Sequence, residues 1–283
     1  MEVFSNTGTI HVLSVSGFHV STMYFLITLL LKPIDRLKNG RQYRILFIFC
    51  FIWFYALICG FVPAVLTATV MFSLFLIGYL RSRIIFSLNT LFASAFLLLV
   101  YDPFILFDIG FQLSYLAVAG ILVFVPLFQK LYQPKNKFLY NCMNLIYVSF
   151  AAQLTTTALA MYYFHQFPTY FMISNLLISI PSTLIIYLGS ILAVFNFPLT
   201  NEWTGFFLKE IILITYNTLK LIDSLPLSTL RGLPFSGFLT LLSYIAIFLL
   251  FLSYRFRNRG FMFMSLVLFC CVGGILLKKT VGI

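Results

Sequence analysis

Apolar runs of membrane-spanning length follow one another along nearly the whole chain, at roughly 10–31, 44–61, 62–80, 84–100, 109–128, 138–163, 169–197, 236–254 and 261–277. A run of about 20 residues makes a helix about 30 Å long, the thickness of a bilayer core. Backbone groups in that core must be satisfied within their own segment, so each run is predicted to be helical. A further stretch, 202–225, is amphipathic. The predicted fold class is all-α: a polytopic transmembrane helix bundle with about nine to ten membrane segments. Residues 1–283 are expected to form one transmembrane domain, with no soluble domain. With 61% hydrophobic and 9% charged residues, too little polar surface exists to cover a soluble protein of 283 residues.

Breakers refine this picture. Gly60 and Pro63 predict a tight hairpin between the second and third runs. Asp102-Pro103 reads as a turn between spans. The run 169–197 is long for one straight span, and Pro181 at its middle predicts a break or kink. No basic segment or small-residue cleavage site precedes the first run, so a cleavable signal peptide is not expected. The five cysteines lie in or beside apolar runs without a Cys-x-x-Cys pair, which suggests buried free thiols rather than a zinc site or disulfide framework.

The net charge of +11 is mostly an orientation signal. If all ten segments cross and the N-terminus is outside, thirteen of the eighteen Lys and Arg fall in inner loops. Outside lie Arg231, Lys278 and Lys279, while Lys209 and Lys220 sit in the amphipathic segment. At 100° per residue, Glu202, Lys209, Lys220 and Asp223 share an arc of roughly 60°, with Tyr216 on the same stripe. Such a helix lies in the interface or lines a polar interior.

Polar residues inside apolar runs mark surfaces that face other helices or a wet cavity. The first run holds His11, Ser14, Ser16, Gly17 and His19. His11 and His19 are about 12 Å apart along a straight helix, too far to chelate one metal. Ser16 and His19, three residues apart, can hydrogen-bond and invite a serine hydrolase reading, although no carboxylate lies nearby in sequence to orient the histidine. The same residues can equally be interhelical hydrogen-bond partners, with Gly17 allowing close approach. Gln112, Ser114, Gln153 and Thr155–Thr157 are further intramembrane polar groups, and Asn175 stands ahead of Pro181, where it can satisfy a broken helix. Runs other than 202–225 lack ionisable Asp, Glu, Lys and Arg in their interiors, which argues against a proton- or sodium-coupled pump.

The order of these motifs resembles the ComEC competence family, the inner-membrane DNA uptake channels of naturally transformable bacteria. TGTIHVLSVSGFHV (Thr7–Val20) matches the family signature at Gly8, Thr9, His11, Ser16, Gly17 and His19. The likeness continues through FYALICGFVPAVLTATVMF (Phe54–Phe72), YDPFILFDIGFQLSYLAVAGI (Tyr101–Ile121), YYFHQFPTYFMISNLL (Tyr162–Leu177) and Leu225-Pro226. Full-length members usually add an outer OB-like domain and often a metallo-β-lactamase-like domain. Neither is present in this sequence, so a truncated copy or one piece of a split gene is expected. Where the family has an arginine near the outer end of the third span, this chain has Thr67.

The resemblance implies a multi-pass protein of the bacterial cytoplasmic membrane, in contact with membrane lipid, that passes single-stranded DNA during natural transformation. It implies a cytosolic DNA-translocating motor and an extracytoplasmic DNA receptor as partners. It implies no enzyme activity, cofactor or metal. The expected channel-lining or family-motif residues are His11, Ser14, Ser16, Gly17, His19, Gln112, Ser114, Asn175, Pro181, Lys209 and Lys220. An intramembrane serine hydrolase using Ser16 and a histidine, and a small-molecule transporter, are the competing readings.

Overall fold

A computed structural model describes residues 2–80, 88–194 and 198–281. Arg81 and Arg83, two of the thirteen cations counted in inner loops, lie outside the described residues, as does the side chain of His11. The chain is helical almost throughout. The helices are α1 (Glu2–Asn6), α2 (Ile10–Leu13), α3 (Gly17–Leu30), α4 (Gly40–Ile58), α5 (Pro63–Leu80), α6 (Leu88–Tyr101), α7 (Ile109–Leu131), α8 (Lys137–Phe164), α9 (Phe171–Val194), α10 (Pro198–Asp223), α11 (Gly237–Phe256) and α12 (Arg259–Val281). Among the described residues, seven are long and apolar enough to cross a membrane: α4, α5, α7, α8, α9, α11 and α12. The shorter apolar helices α3 and α6 bring the set to nine, and the amphipathic α10 makes ten. The protein is a polytopic all-α membrane protein.

Turn chemistry sets the joints. Gly60 and Phe61 both take left-handed backbone angles (φ 72° and 53°), and Pro63 opens α5, so α4 and α5 form the predicted hairpin. The Asp102 carboxylate accepts from the Phe104 N–H at 2.9 Å at the start of a short 3-10 turn, Pro103–Phe107. Asp108 then accepts from the Phe111 N–H at 2.9 Å, occupying a donor that the first turn of α7 would otherwise leave open. Asn136 does the same for α8 through the Phe138 N–H.

Two expectations fail. The first apolar run is not one straight helix: the backbone is non-helical from Ser14 to Ser16, between α2 and α3. Ser16 is the extended N-cap residue of α3 and Gly17 its first helical residue, an arrangement that suits serine's capping preference and glycine's weak helix propensity. Conversely, Pro181 does not break its helix; α9 runs continuously through it from Phe171 to Val194. Proline removes one backbone donor from the ladder. Hydroxyls bond carbonyls in the turn around it: Ser179 Oγ donates to the Leu176 carbonyl at 3.1 Å and Ser182 Oγ to the Ile178 carbonyl at 2.6 Å.

The chain divides into two compact units, one of Met1–Tyr115 with Ile173–Ser224, the other of Leu116–Met172 with Leu225–Ile283. In the first unit α3 packs against α4 and α5, and α5 against α6. Val20, Ala56, Val65 and Ala68 form one cluster; Leu66, Val70, Leu98 and Phe111 form another. The second unit packs α11 against both α8 and α12, with Phe124, Val125, Ala151 and Ile247 at its centre. A two-stranded antiparallel sheet, β1 (Gln166–Pro168) with β2 (Thr229–Arg231), ties the loop after α8 to the segment before α11, with Phe167 opposite Leu230.

Candidate functional site

The motif-rich stretches meet at the start of α5. Gly17, at the broken first segment, faces that turn: a Cβ there would lie 3.4 Å from Ala68 Cβ and 3.9 Å from the Ala64 carbonyl oxygen. Gly110, at the start of α7, faces the same residue, since its Cβ would lie 3.9 Å from Ala64 Cβ. Ala64 thus lies beside both the SGFH stretch and the DIGF stretch. Small residues at all three places let the chains approach closely.

Around this junction the polar side chains have specific partners. His19 Nδ1 lies 3.4 Å from the Ser16 backbone nitrogen, whose N–H it accepts in the tautomer protonated at Nε2. Ser16 Oγ lies 3.3 Å from the same nitrogen. Thr7 and Thr9 are buried and paired through their hydroxyls at 3.0 Å, and Thr7 Oγ1 donates to the Val3 carbonyl at 2.8 Å. Gln112 Nε2 donates to the Leu106 carbonyl at 2.8 Å. Ser94 Oγ and Tyr115 Oη lie 3.0 Å apart. Ser14 is exposed, and Ser114 half-buried.

Among the described residues, four buried polar atoms stand without a partner, Thr28 Oγ1, Arg44 Nε, Thr67 Oγ1 and Asn175 Oδ1, and two of them lie at positions singled out above. Thr67 is 2% exposed, and its Oγ1 has no hydrogen bond; Asn175 Oδ1, on α9, is in the same condition. The role suggested above for Asn175, satisfying a broken helix at Pro181, falls with that break. The family comparison drew attention to Thr67 and the nearby proline to Asn175, but their missing partners are visible only in three dimensions. The enclosure of Thr67 also means that an arginine in its place would start from a packed interior, not from an open membrane edge where it could reach water.

On α10 the charged stripe is exposed at Glu202, Lys209, Tyr216 and Lys220, with Asp223 half-buried, while Thr215, Leu219 and Ile222 are buried on another face. Among the described residues, no group of three His, Cys, Asp or Glu side chains is placed to hold a metal ion.

The family profile described as Competence protein matches residues 1–257. The chain belongs to this family. Among curated relatives, it is similar to ComE operon protein 3 of Bacillus subtilis (strain 168), at 30% identity over 167 residues, 59% of this chain and 20% of that protein. It is also similar to an uncharacterized protein of Aquifex aeolicus (strain VF5), at 33% identity over 129 residues, 45% of this chain and 29% of that protein. These matches span less than a third of either relative's length. No solved structure matches the chain. The matched region takes in the broken first segment, the start of α5 and the start of α7, so the Ala64 junction lies inside it.

Proposed function

We propose that this competence protein forms the membrane-embedded core of a DNA uptake channel, passing one DNA strand across the cytoplasmic membrane to a cytosolic motor from an outer DNA receptor. The family match over residues 1–257 carries this reading. A polyanion needs a path with few carboxylates. The seven Asp and Glu of the chain include only Glu202, Glu210 and Asp223 within α10 and Glu2 within the short α1, and none in the other helices. The residues expected to line the path or hold its walls are those of the broken first segment, Gln112, Ser114, Asn175 and the α10 stripe.

The hydrolase reading draws on one distance, Ser16 Oγ to His19 Nδ1 at 3.3 Å. That nitrogen already accepts from the Ser16 backbone, which places it in competition as a general base. A fluorophosphonate probe would label Ser16 if the hydrolase reading held. The transporter reading rested on a helix broken at Pro181, and α9 is continuous there.

The test is a graft. This chain replaces the matched segment of the Bacillus subtilis relative, and transformation by a labelled DNA duplex is counted. Transformants well above the deletion background support the proposal. Background-level transformation by a hybrid that accumulates normally overturns it. In parallel, Thr67→Arg separates the missing family arginine from other defects: a gain in uptake would assign the arginine a phosphate-binding role, since guanidinium offers a charged, planar donor that threonine lacks.

A further inference from the structure

At the turn between α11 and α12 the second unit holds a cleft of about 410 Å³, lined by Lys130, Arg255, Arg257, Asn258, Arg259 and Met262. Lys130 reaches it from the last turn of α7, so three helix ends contribute. All four cationic side chains are exposed. The segments that make up this unit, Leu116–Met172 and Leu225–Ile283, contain nine Lys and Arg and no Asp or Glu, so no carboxylate of its own unit can neutralise the cleft.

The turn itself carries a cation at its left-handed position. Arg257 holds a left-handed backbone angle (φ 52°), with its N–H bonded to the Tyr254 carbonyl and the next N–H, of Asn258, bonded to the Ser253 carbonyl at 3.2 Å. Glycine usually takes this place at a helix end, because a side chain is strained there. Asn258 Oδ1 accepts from the Gly260 N–H at 2.8 Å, which leaves its amide N–H groups as what it can offer a ligand. Apolar groups flank the charge: Met262 lines the cleft, and the neighbouring Phe256 and Phe263 are 67% and 69% exposed.

We propose that this cleft seats the phosphate headgroup of an anionic phospholipid, with the acyl chains running along the exposed apolar faces beside it. A clustered set of cations at helix ends with apolar flanks fits a headgroup and its chains. A nucleic acid would instead call for a longer charged track with stacking aromatics. The inference does not depend on the DNA channel reading.

The whole protein, purified in zwitterionic detergent, is mixed with phosphatidylglycerol, phosphatidylcholine, inorganic phosphate or a single-stranded oligonucleotide, and bound lipid is read by native mass spectrometry. Phosphatidylglycerol should be retained at least tenfold over phosphatidylcholine. Arg255→Gln with Arg259→Gln should cut that retention at least tenfold, while Lys135→Gln with Lys137→Gln, the same charge change outside the cleft, should change it less than twofold. Arg257→Gly relieves the backbone while deleting the guanidinium, so a well-folded protein with weakened lipid retention is expected. Equal retention of both lipids, or equal loss in the Lys pair, overturns the proposal. Full displacement by inorganic phosphate would make it a free-phosphate site, and displacement by the oligonucleotide a nucleic-acid site; each also overturns it.

Discussion

At Gly120 a lone hydrogen separates α7 from α8. A Cβ there would lie 2.6 Å from the Ala151 carbonyl oxygen and nearer still to the Thr155 hydroxyl, which itself donates to the Leu116 carbonyl at 2.8 Å. Backbone on both sides cannot yield, so Gly120→Ala should cost about 1–3 kcal/mol or more through overpacking. Gly17 offers the contrast: its Cβ would find ordinary contact distance, so Gly17→Ala should behave as wild type while Gly17→Leu, which must displace Ala68, should not. Melting of detergent-solubilised variants followed by size-exclusion chromatography checks the set; a stable Gly17→Leu would show that α3 does not pack there. Other residues were only half legible. Serine and threonine in apolar runs stand out by type, yet Thr156, Thr157, Thr183, Ser190 and Thr215 each donate to a carbonyl four residues back. A hydroxyl so used has no proton left for a phosphate. Sequence gives the donor but not its allegiance, which is why Thr67, whose hydroxyl lacks such a bond, could not be told apart from Thr69, which has one to the Val65 carbonyl.

Among the elements, α10 carries the clearest directional claim. In a background with the native cysteines replaced, single cysteines at Glu202 and Tyr216 should react with a membrane-impermeant thiol reagent, and cysteines at Leu219 and Ile222, both buried, should not. Ile214 is 62% exposed but lies off the polar stripe, so a cysteine there should be shielded by lipid. Reactivity at Ile214 equal to that at Tyr216 would remove any functional orientation from the stripe. Helix limits were well read from hydropathy: the run 109–128 became Ile109–Leu131, and 236–254 became Gly237–Phe256. The misses share a cause. Hydropathy reports composition and is blind to backbone, so it passed over the Ser14–Ser16 break, where every residue but the serines is apolar or small. Pro181 misled in the other direction: proline removes a single donor from the ladder, and α9 continues on both sides of it. The β1–β2 pairing joins residues more than sixty positions apart through two three-residue strands, too short for any local pattern to show.

For the whole molecule, the charge bias predicts that both ends face away from the cytosol. The second unit is consistent with this alternation: Lys130 and Arg255–Arg259 share one cleft, so the α7–α8 and α11–α12 connections lie at the same end of the unit. The other end carries the start of α11, where a Gly237 Cβ would lie 3.9 Å from the Tyr162 ring near the end of α8. A phosphatase fused after Ile283 should therefore be active and a cytosolic reporter silent, and the reverse pattern would sink the arrangement.

The interleaving of the two units has a consequence in time. About fifty residues, Ile173–Ser224, belong to the first unit and separate the halves of the second. At about 5–20 residues per second, the ribosome takes several seconds to make them. Throughout that interval α7 and α8 are already made while α11 and α12 do not yet exist, and β1 waits for the strand that will pair with it. The early half of the second unit must therefore persist unfinished in the membrane, with Ala151 and Phe124 lacking the Ile247 neighbour that completes their cluster. Whatever guards nascent helices in the bilayer is needed throughout that stage of synthesis.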